Sequence, residues 1–410
     1  MTPPLRRTRG DIIATCIIVL VCVLALGLAW YKAPIRGSHL SPATAEFHAA
    51  AAPTRVPDSL PELWHRDDAQ PAPAQQTVAP RPVVVGGVVI LPSEHGVRGL
   101  DPRSGQQLWS YEREETLCGL GTAWQKVTAV FDAGFGCGDV VQIKPHDGTY
   151  GATRSAIAED PVGIVQSNDR VGIIGAERVE LWRDDAVRTI EYGDNPARQE
   201  PNMQPHVECS PAAALTRKDD LVLLDRCPDH SSWVRIMDTS PEDSRKPEVK
   251  HEFALSGDTS TLVALGASAL AVYEDGALVS YDFSGAELSR TPIAPPAEGA
   301  LDAPYRPAIA DLPHHMSWYD GHSWHLFEPT DLRPTIHKDD ALGTGVSLNG
   351  QLLYPVRGGV AVADSDTGEV RRTIPVDRGS WQGPVSLSLA GDVLVEQRGA
   401  SVVALSLTGK

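Results

Sequence analysis

Residues 83–114 read VVVGGVVILPSEHGVRGLDPRSGQQLWSYERE, and their order of runs and turns decides the fold. Two Val-rich arms flank Gly86-Gly87, a two-residue hairpin signal between β-branched stretches. A second turn at Glu94-His95-Gly96 leads into a third run. Asp101-x-x-Ser104-Gly105 then leads into a fourth run carrying Leu108-Trp109. The chemistry of this last turn is local: an Asp side chain accepts hydrogen bonds from the backbone two residues on, and Gly takes the positive-φ position without steric cost.

The same grammar recurs outward from this segment. Paired apolar runs broken by turn residues appear as IVQSNDRVGIIG (164–175), LTRKDDLVLLD (215–225), LVALGASALAVY (262–273), VSLNGQLLYPV (346–356) and VSLSLAGDVLVE (385–396). The Asp–Gly turn returns as Tyr281-Asp282-Phe283-Ser284-Gly285, as Asp364-Ser365-Asp366-Thr367-Gly368, and in part as Leu407-Thr408-Gly409. No stretch beyond residue 31 sustains a 3.6-residue apolar period, so the body is expected to be all-β. Four strands repeating at about 40 residues are the mark of a β-propeller.

The strand–Leu-Asp–x–x–Ser/Thr-Gly–x–x–x–Trp pattern resembles the PQQ-like, quinoprotein-type propeller repeat, fully at 83–114 and in part in the last two repeats. With its N-terminal span, the chain resembles an uncharacterised actinobacterial family of single-pass membrane propellers. More distantly it is similar to the propeller scaffold of outer-membrane barrel-assembly machinery. The resemblance implies that Trp64, Trp109 and Trp182, each preceded by Leu, dock one blade on the next.

Blade number follows from closure. The C-terminal segment supplies three strands, and Leu63-Trp64 copies Leu108-Trp109 and Leu181-Trp182. Residues 62–67 are therefore expected to complete the last blade and sew the ends together. Residues 62–410 divided among eight blades give about 44 residues each, within the propeller period, and among seven about 50. Eight blades are expected, seven being the alternative.

Ile12–Tyr31 is an uncharged apolar run long enough to cross the ~30 Å hydrocarbon core as a helix. Its length, and the absence of a nearby small-x-small site, favour an uncleaved anchor over a signal peptide. Arg6, Arg7 and Arg9 precede it and Lys32 and Arg36 follow, which favours a cytoplasmic N-terminus (residues 1–11). Residues 32–60, Ala/Pro-rich, read as a flexible tether, and 61–410 as the extracytoplasmic propeller. Cys118/Cys137 and Cys209/Cys227 are spaced for two local disulfides, in keeping with export to an oxidising compartment.

The charge narrows the partners. Of 53 acidic and 36 basic residues, one acid and five bases lie before residue 41, leaving 52 against 31 and a net of −21 on the exported part. Nucleic acid and anionic lipid surfaces need a cationic face and are excluded as main partners. A basic or Ca²⁺-bridged envelope or membrane protein fits.

Catalytic constellations are sparse. Quinoprotein dehydrogenases use a vicinal Cys-Cys, which this chain does not contain. Gly134-Phe135-Gly136-Cys137-Gly138 lacks the Lys-Ser/Thr of a phosphate loop. Asp184-Asp185, Asp219-Asp220 and Asp339-Asp340 fall at expected turns, where solvation is the ordinary fate of a carboxylate pair. The dense His314, His315, His322 and His325 raise the question of zinc or copper. With Asp320-Gly321 as a two-residue turn, Tyr319 would pair with His322 and Met316 with His325. His315 and His322 would then share one face and His314 and His325 the other, an arrangement that converges no three ligands. A surface or subunit-facing hairpin is the expected role, with no catalytic, cofactor or metal residues, and the body is expected to act as a non-catalytic interaction scaffold.

Overall fold

In a computed structural model, describing residues 8–198, 200–257, 259–303 and 305–409, the body is an eight-bladed β-propeller. Blades one to seven span 83–112, 116–155, 163–193, 210–255, 260–292, 309–338 and 346–375. Each is a four-stranded antiparallel sheet with strands in chain order from the centre outward. Blade eight takes its three inner strands from 386–406 and its outer strand from Glu62–Arg66, paired antiparallel to Ser401–Ser406. The seven-bladed alternative is thereby excluded, and the closing strand lies where the copied Leu-Trp placed it.

The turns follow the chemistry expected of them. Asp101 Oδ1 accepts from the amides of Arg103 (2.8 Å) and Ser104 (3.0 Å), and Gly105 sits at φ +68°. Asp282 and Asp364 repeat the arrangement, with Gly285 and Gly368 at φ +86° and +70°. Each such glycine receives a side chain from the preceding blade's outer strand. Trp64 lies against Gly105 and donates Nε1–H to Pro102 O (2.8 Å), while Trp109 lies against Gly148 and donates to Pro145 O (2.7 Å). Phe253 meets Gly285 and Ile336 meets Gly368 in the same way. Burying these side chains between sheets, at roughly 25 cal/mol per Å² of apolar surface, welds neighbouring blades.

Trp182 departs from this scheme. It lies on the third strand of blade three (Arg178–Trp182), packs among Cys118, Val140 and Val171 at the border with blade two, and donates Nε1–H to Glu180 (3.0 Å). The matching dipeptide therefore marks a different strand from those of Trp64 and Trp109. Buried ionic contacts are also present in blades two to four: Arg154 of blade two to Glu180 of blade three (2.8 Å) and, within single blades, Arg178 to Glu180 (3.5 Å) and Arg235 to Asp225 (2.6 Å).

The N-terminal helix is Arg9–Tyr31, capped by Thr8 and Asp11, long and apolar enough to cross a membrane; Arg6 and Arg7 lie outside the described residues. The segment read as a flexible tether is instead laid along the ring. His39–Ser41 adds a fifth strand to the outer edge of blade one, and Phe47 N–H donates to His146 O (2.9 Å). Asn349 Nδ2 donates to Pro53 O (2.6 Å), and Val56 and Leu60 are buried between blades seven and eight. Apolar side chains scattered through an Ala/Pro-rich stretch carry no periodicity, yet each finds a groove on a preformed ring.

Candidate functional site

The inner strands surround a central cavity of about 450 Å³. Its floor comes from the connection between Glu62–Arg66, at the perimeter, and Val83–Val85, at the centre. This connection must cross a mouth of the ring, and it stays in the channel. Gln75 exchanges two hydrogen bonds with Leu120 of blade two (2.6 and 3.1 Å). Pro73 O accepts from Arg306, and Ala79 O accepts from Ser386 of blade eight (3.1 Å). Ala72, Ala74 and Ala79 are buried. A Cβ on Gly119 would lie 2.6 Å from the Ala74 Cβ, so glycine at 119 makes room for this plug.

The remaining cavity has a mixed lining, in which Arg81 and Asp311 stand among apolar residues such as Val84, Ile164 and Leu215. Arg81 donates Nε–H to Leu387 O (3.0 Å) and Ser388 Oγ (3.1 Å), and enclosure by the ring lowers its guanidinium, against the pull of Asp311. Asp311 is exposed to the central cavity yet has protein on every side. That enclosure raises its carboxyl, with Arg217 (3.8 Å) and Arg81 drawing it back.

The histidine-rich segment is not a surface hairpin. Tyr319 pairs with Trp324 and Met316 with Phe327, so Asp320–Ser323 form a four-residue loop rather than a two-residue turn. Asp320 causes the difference: its Oδ1 accepts from the amides of both His322 (2.7 Å) and Ser323 (2.6 Å), which holds the loop open. His325 is buried opposite Trp318, on which it stacks, and His315 lies on the other face, as expected, where its Nε2 meets Ser365 O (2.7 Å). His337, on the neighbouring outer strand, pairs with His325 across the ladder and faces it Nδ1 to Nδ1 at 3.1 Å. His337 was not among the histidines singled out, since only strand pairing brings it to this place. A second cavity of about 450 Å³ opens onto the pair.

Both expected disulfides are present. Cys118–Cys137 and Cys209–Cys227 have Cα–Cα distances of 5.9 and 4.2 Å, and each lies within one blade. Cys137 sits in the glycine-rich 134–138 loop, so those glycines serve a turn in which Gly136, at φ +82°, packs on Ala158 O.

The fold thus defines the chain as an all-β, eight-bladed propeller with one N-terminal apolar helix. Among solved structures it is similar to BamB from Moraxella catarrhalis (13% identity, 85% of this chain and 99% of that one, TM-score 0.50). It is also similar to the computationally designed Ika8 protein (12% identity, 83% and 99% covered, TM-score 0.52). At this identity the likeness concerns the fold alone. No protein-family model and no curated protein matches the sequence.

Proposed function

We propose that this protein is a membrane-tethered, extracytoplasmic propeller serving as a non-catalytic interaction scaffold or accessory subunit of a bacterial envelope, related to the PQQ-like repeat proteins. The observation that carries this reading is the plug: a channel floored by the chain's own residues 72–81 leaves the faces and outer edges of the ring as its broad surfaces. The helix Arg9–Tyr31 supports a plasma-membrane anchor, and the two disulfides support an oxidising compartment outside it. The net charge of −21 beyond residue 40 (52 acidic, 31 basic) favours a basic or Ca²⁺-bridged partner. Purification from native membranes after gentle cross-linking tests the proposal. A stoichiometric envelope or membrane partner is expected, and recovery of the protein alone would refute it.

A ligand- or cofactor-binding propeller is the second reading. The observation in its favour is the central cavity, where Arg81 and Asp311 stand in a largely apolar lining. Incubation with PQQ and Ca²⁺ discriminates: quinone absorbance surviving gel filtration would reverse the order of the two readings.

A further inference from the structure

We infer that the central cavity holds a site for a small organic acid, whose carboxylate is received by Arg81 and whose apolar body fills the channel above the plug. This rests on the ligand-binding reading of that cavity and gives the ligand its chemical class. Arg81 ends the plug and lines the cavity beside blade eight. Its Nε–H is spent on Leu387 O (3.0 Å) and Ser388 Oγ (3.1 Å), and Ser388 Oγ in turn donates to Pro82 O (2.7 Å). The Nε edge is thus pinned to the innermost strand of blade eight. Among the described residues, neither terminal nitrogen of Arg81 has a hydrogen-bond partner, and the side chain makes no ion pair.

Taking a cation out of bulk water is costly unless an anion pairs with it. Among the described residues the cavity lining carries two cations, Arg81 and Arg306, and one carboxylate, Asp311. Asp311 stands 3.8 Å from Arg217 Nη1, which adds a third cation at the rim. The channel therefore keeps a positive excess inside a body whose net charge is −21 (52 acidic, 31 basic). Thr344 supplies an independent sign on the same wall. Leu387 donates its N–H to Thr344 O (2.9 Å) and accepts from Arg81 at its own carbonyl, so both residues lie against one stretch of blade eight. Thr344 lines the cavity, and its Oγ1 is buried with no hydrogen-bond partner. Buried hydroxyls ordinarily have one, and an oxygen held at Arg81 or a water bound to it supplies it.

The class of ligand follows from the same wall. A guanidinium fork with two N–H groups to spare matches the paired oxygens of a carboxylate. Arg217 is drawn to Asp311 and Arg306 donates to Pro73 O (2.7 Å), so one fork is on offer and a monoanion suits it better than a polyanion. Val84, Ile164, Leu215, Val346 and Leu389 line the cavity around it and suit an apolar body. A volume of about 450 Å³ lies within the range of small-molecule pockets, and the floor at residues 72–81 favours such a molecule over a threaded chain. These contacts call for neither a quinone nor a metal ion.

The test titrates the full-length protein in detergent with 4-(trifluoromethyl)benzoate at pH 7.5, read by fluorine NMR, with 4-(trifluoromethyl)benzyl alcohol as the uncharged control. Saturable binding of one acid per chain is expected, with a Kd of about 1 mM or tighter, and the alcohol should bind at least tenfold more weakly. Arg81→Gln should weaken the acid at least tenfold and leave the alcohol unchanged, thermal denaturation verifying its fold. Arg81→Lys keeps the charge and loses the fork, so it should fall between the two, and it carries the comparison if Arg81→Gln does not fold. Partition into micelles is common to parent and variants and cancels between them. No saturable binding, equal binding of acid and alcohol, or parental affinity in the variants would overturn the site. Retention of PQQ with Ca²⁺ beside any of those results would leave the ligand-binding reading standing and this site refuted, whereas acid binding without PQQ retention would support the site and set the quinone aside.

Discussion

Replacing Trp109 by alanine tests the blade-docking principle at its best-defined point. The indole is 1% exposed, lies over Gly99 and against Gly148, and donates to Pro145 O at 2.7 Å across the border of blades one and two. Truncation leaves a cavity and an orphaned carbonyl, for which about 3–5 kcal/mol is typical. A ring of roughly 350 residues, unfolding with about 2.1 cal/mol/K per residue, loses ~0.7 kcal/mol per degree, so the expected fall in Tm is about 4–7 °C. Trp109→Phe keeps most of the packing and forfeits the hydrogen bond, about 1–2 kcal/mol and thus about 1–3 °C. Scanning calorimetry of the detergent-solubilised protein measures both, and hydrogen exchange shows whether the loosening starts at that blade border. A Trp109→Ala shift under about 2 °C, or equal shifts for both variants, would refute the reasoning.

Three further outcomes are expected. Gly119→Leu should drive Ala74 out of its contact and make residues 72–81 exchange amide hydrogens or suffer proteolysis at least tenfold faster, with the blades themselves unchanged. A chain beginning at Asp67 lacks Glu62–Arg66 and bares the Ser401–Ser406 edge. It should form oligomers in gel filtration where a chain beginning at His39 is monomeric. Burial raises the Glu274 carboxyl, but hydrogen bonds from Tyr281 (2.7 Å), Ser256 (2.9 and 3.0 Å) and Gly257 (2.8 Å), with Arg290, outweigh it and leave the group below its ordinary value. A carboxyl lowered in the folded state stabilises above its unfolded pKa of about 4.3, and that contribution fades as pH falls through the folded value. The Tm gap between the parent and Glu274→Gln should therefore narrow from pH 6 to pH 3, and a constant gap would contradict the assignment.

What was legible in the chain was what local chemistry determines. Asp101, Asp282 and Asp364 make their own turns, so the repeat could be read from a few residues. The closing strand was legible because Leu63-Trp64 faces the same glycine geometry as Leu108-Trp109. Where docking passed to Phe253 and Ile336, the indole signal vanished although the contact persisted. Trp182 misled because Leu-Trp specifies no strand position by itself. The paths of residues 39–60 and 72–81 depend on grooves that exist only once the ring is formed. The histidine pair was hidden for two reasons: Asp320 captures two amides and lengthens the hairpin loop, and the partner imidazole comes from a strand beyond the histidine-rich segment.

The central claim is that this ring works by holding other envelope proteins. Proximity labelling in living cells, with the labelling enzyme fused after Lys410, tests it most directly. The account predicts a short, reproducible set of extracytoplasmic or membrane proteins, enriched over an unrelated anchored control and lost when the ring is deleted behind an intact Arg9–Tyr31 helix. Labelling indistinguishable from that control, or unchanged by loss of the ring, would contradict it.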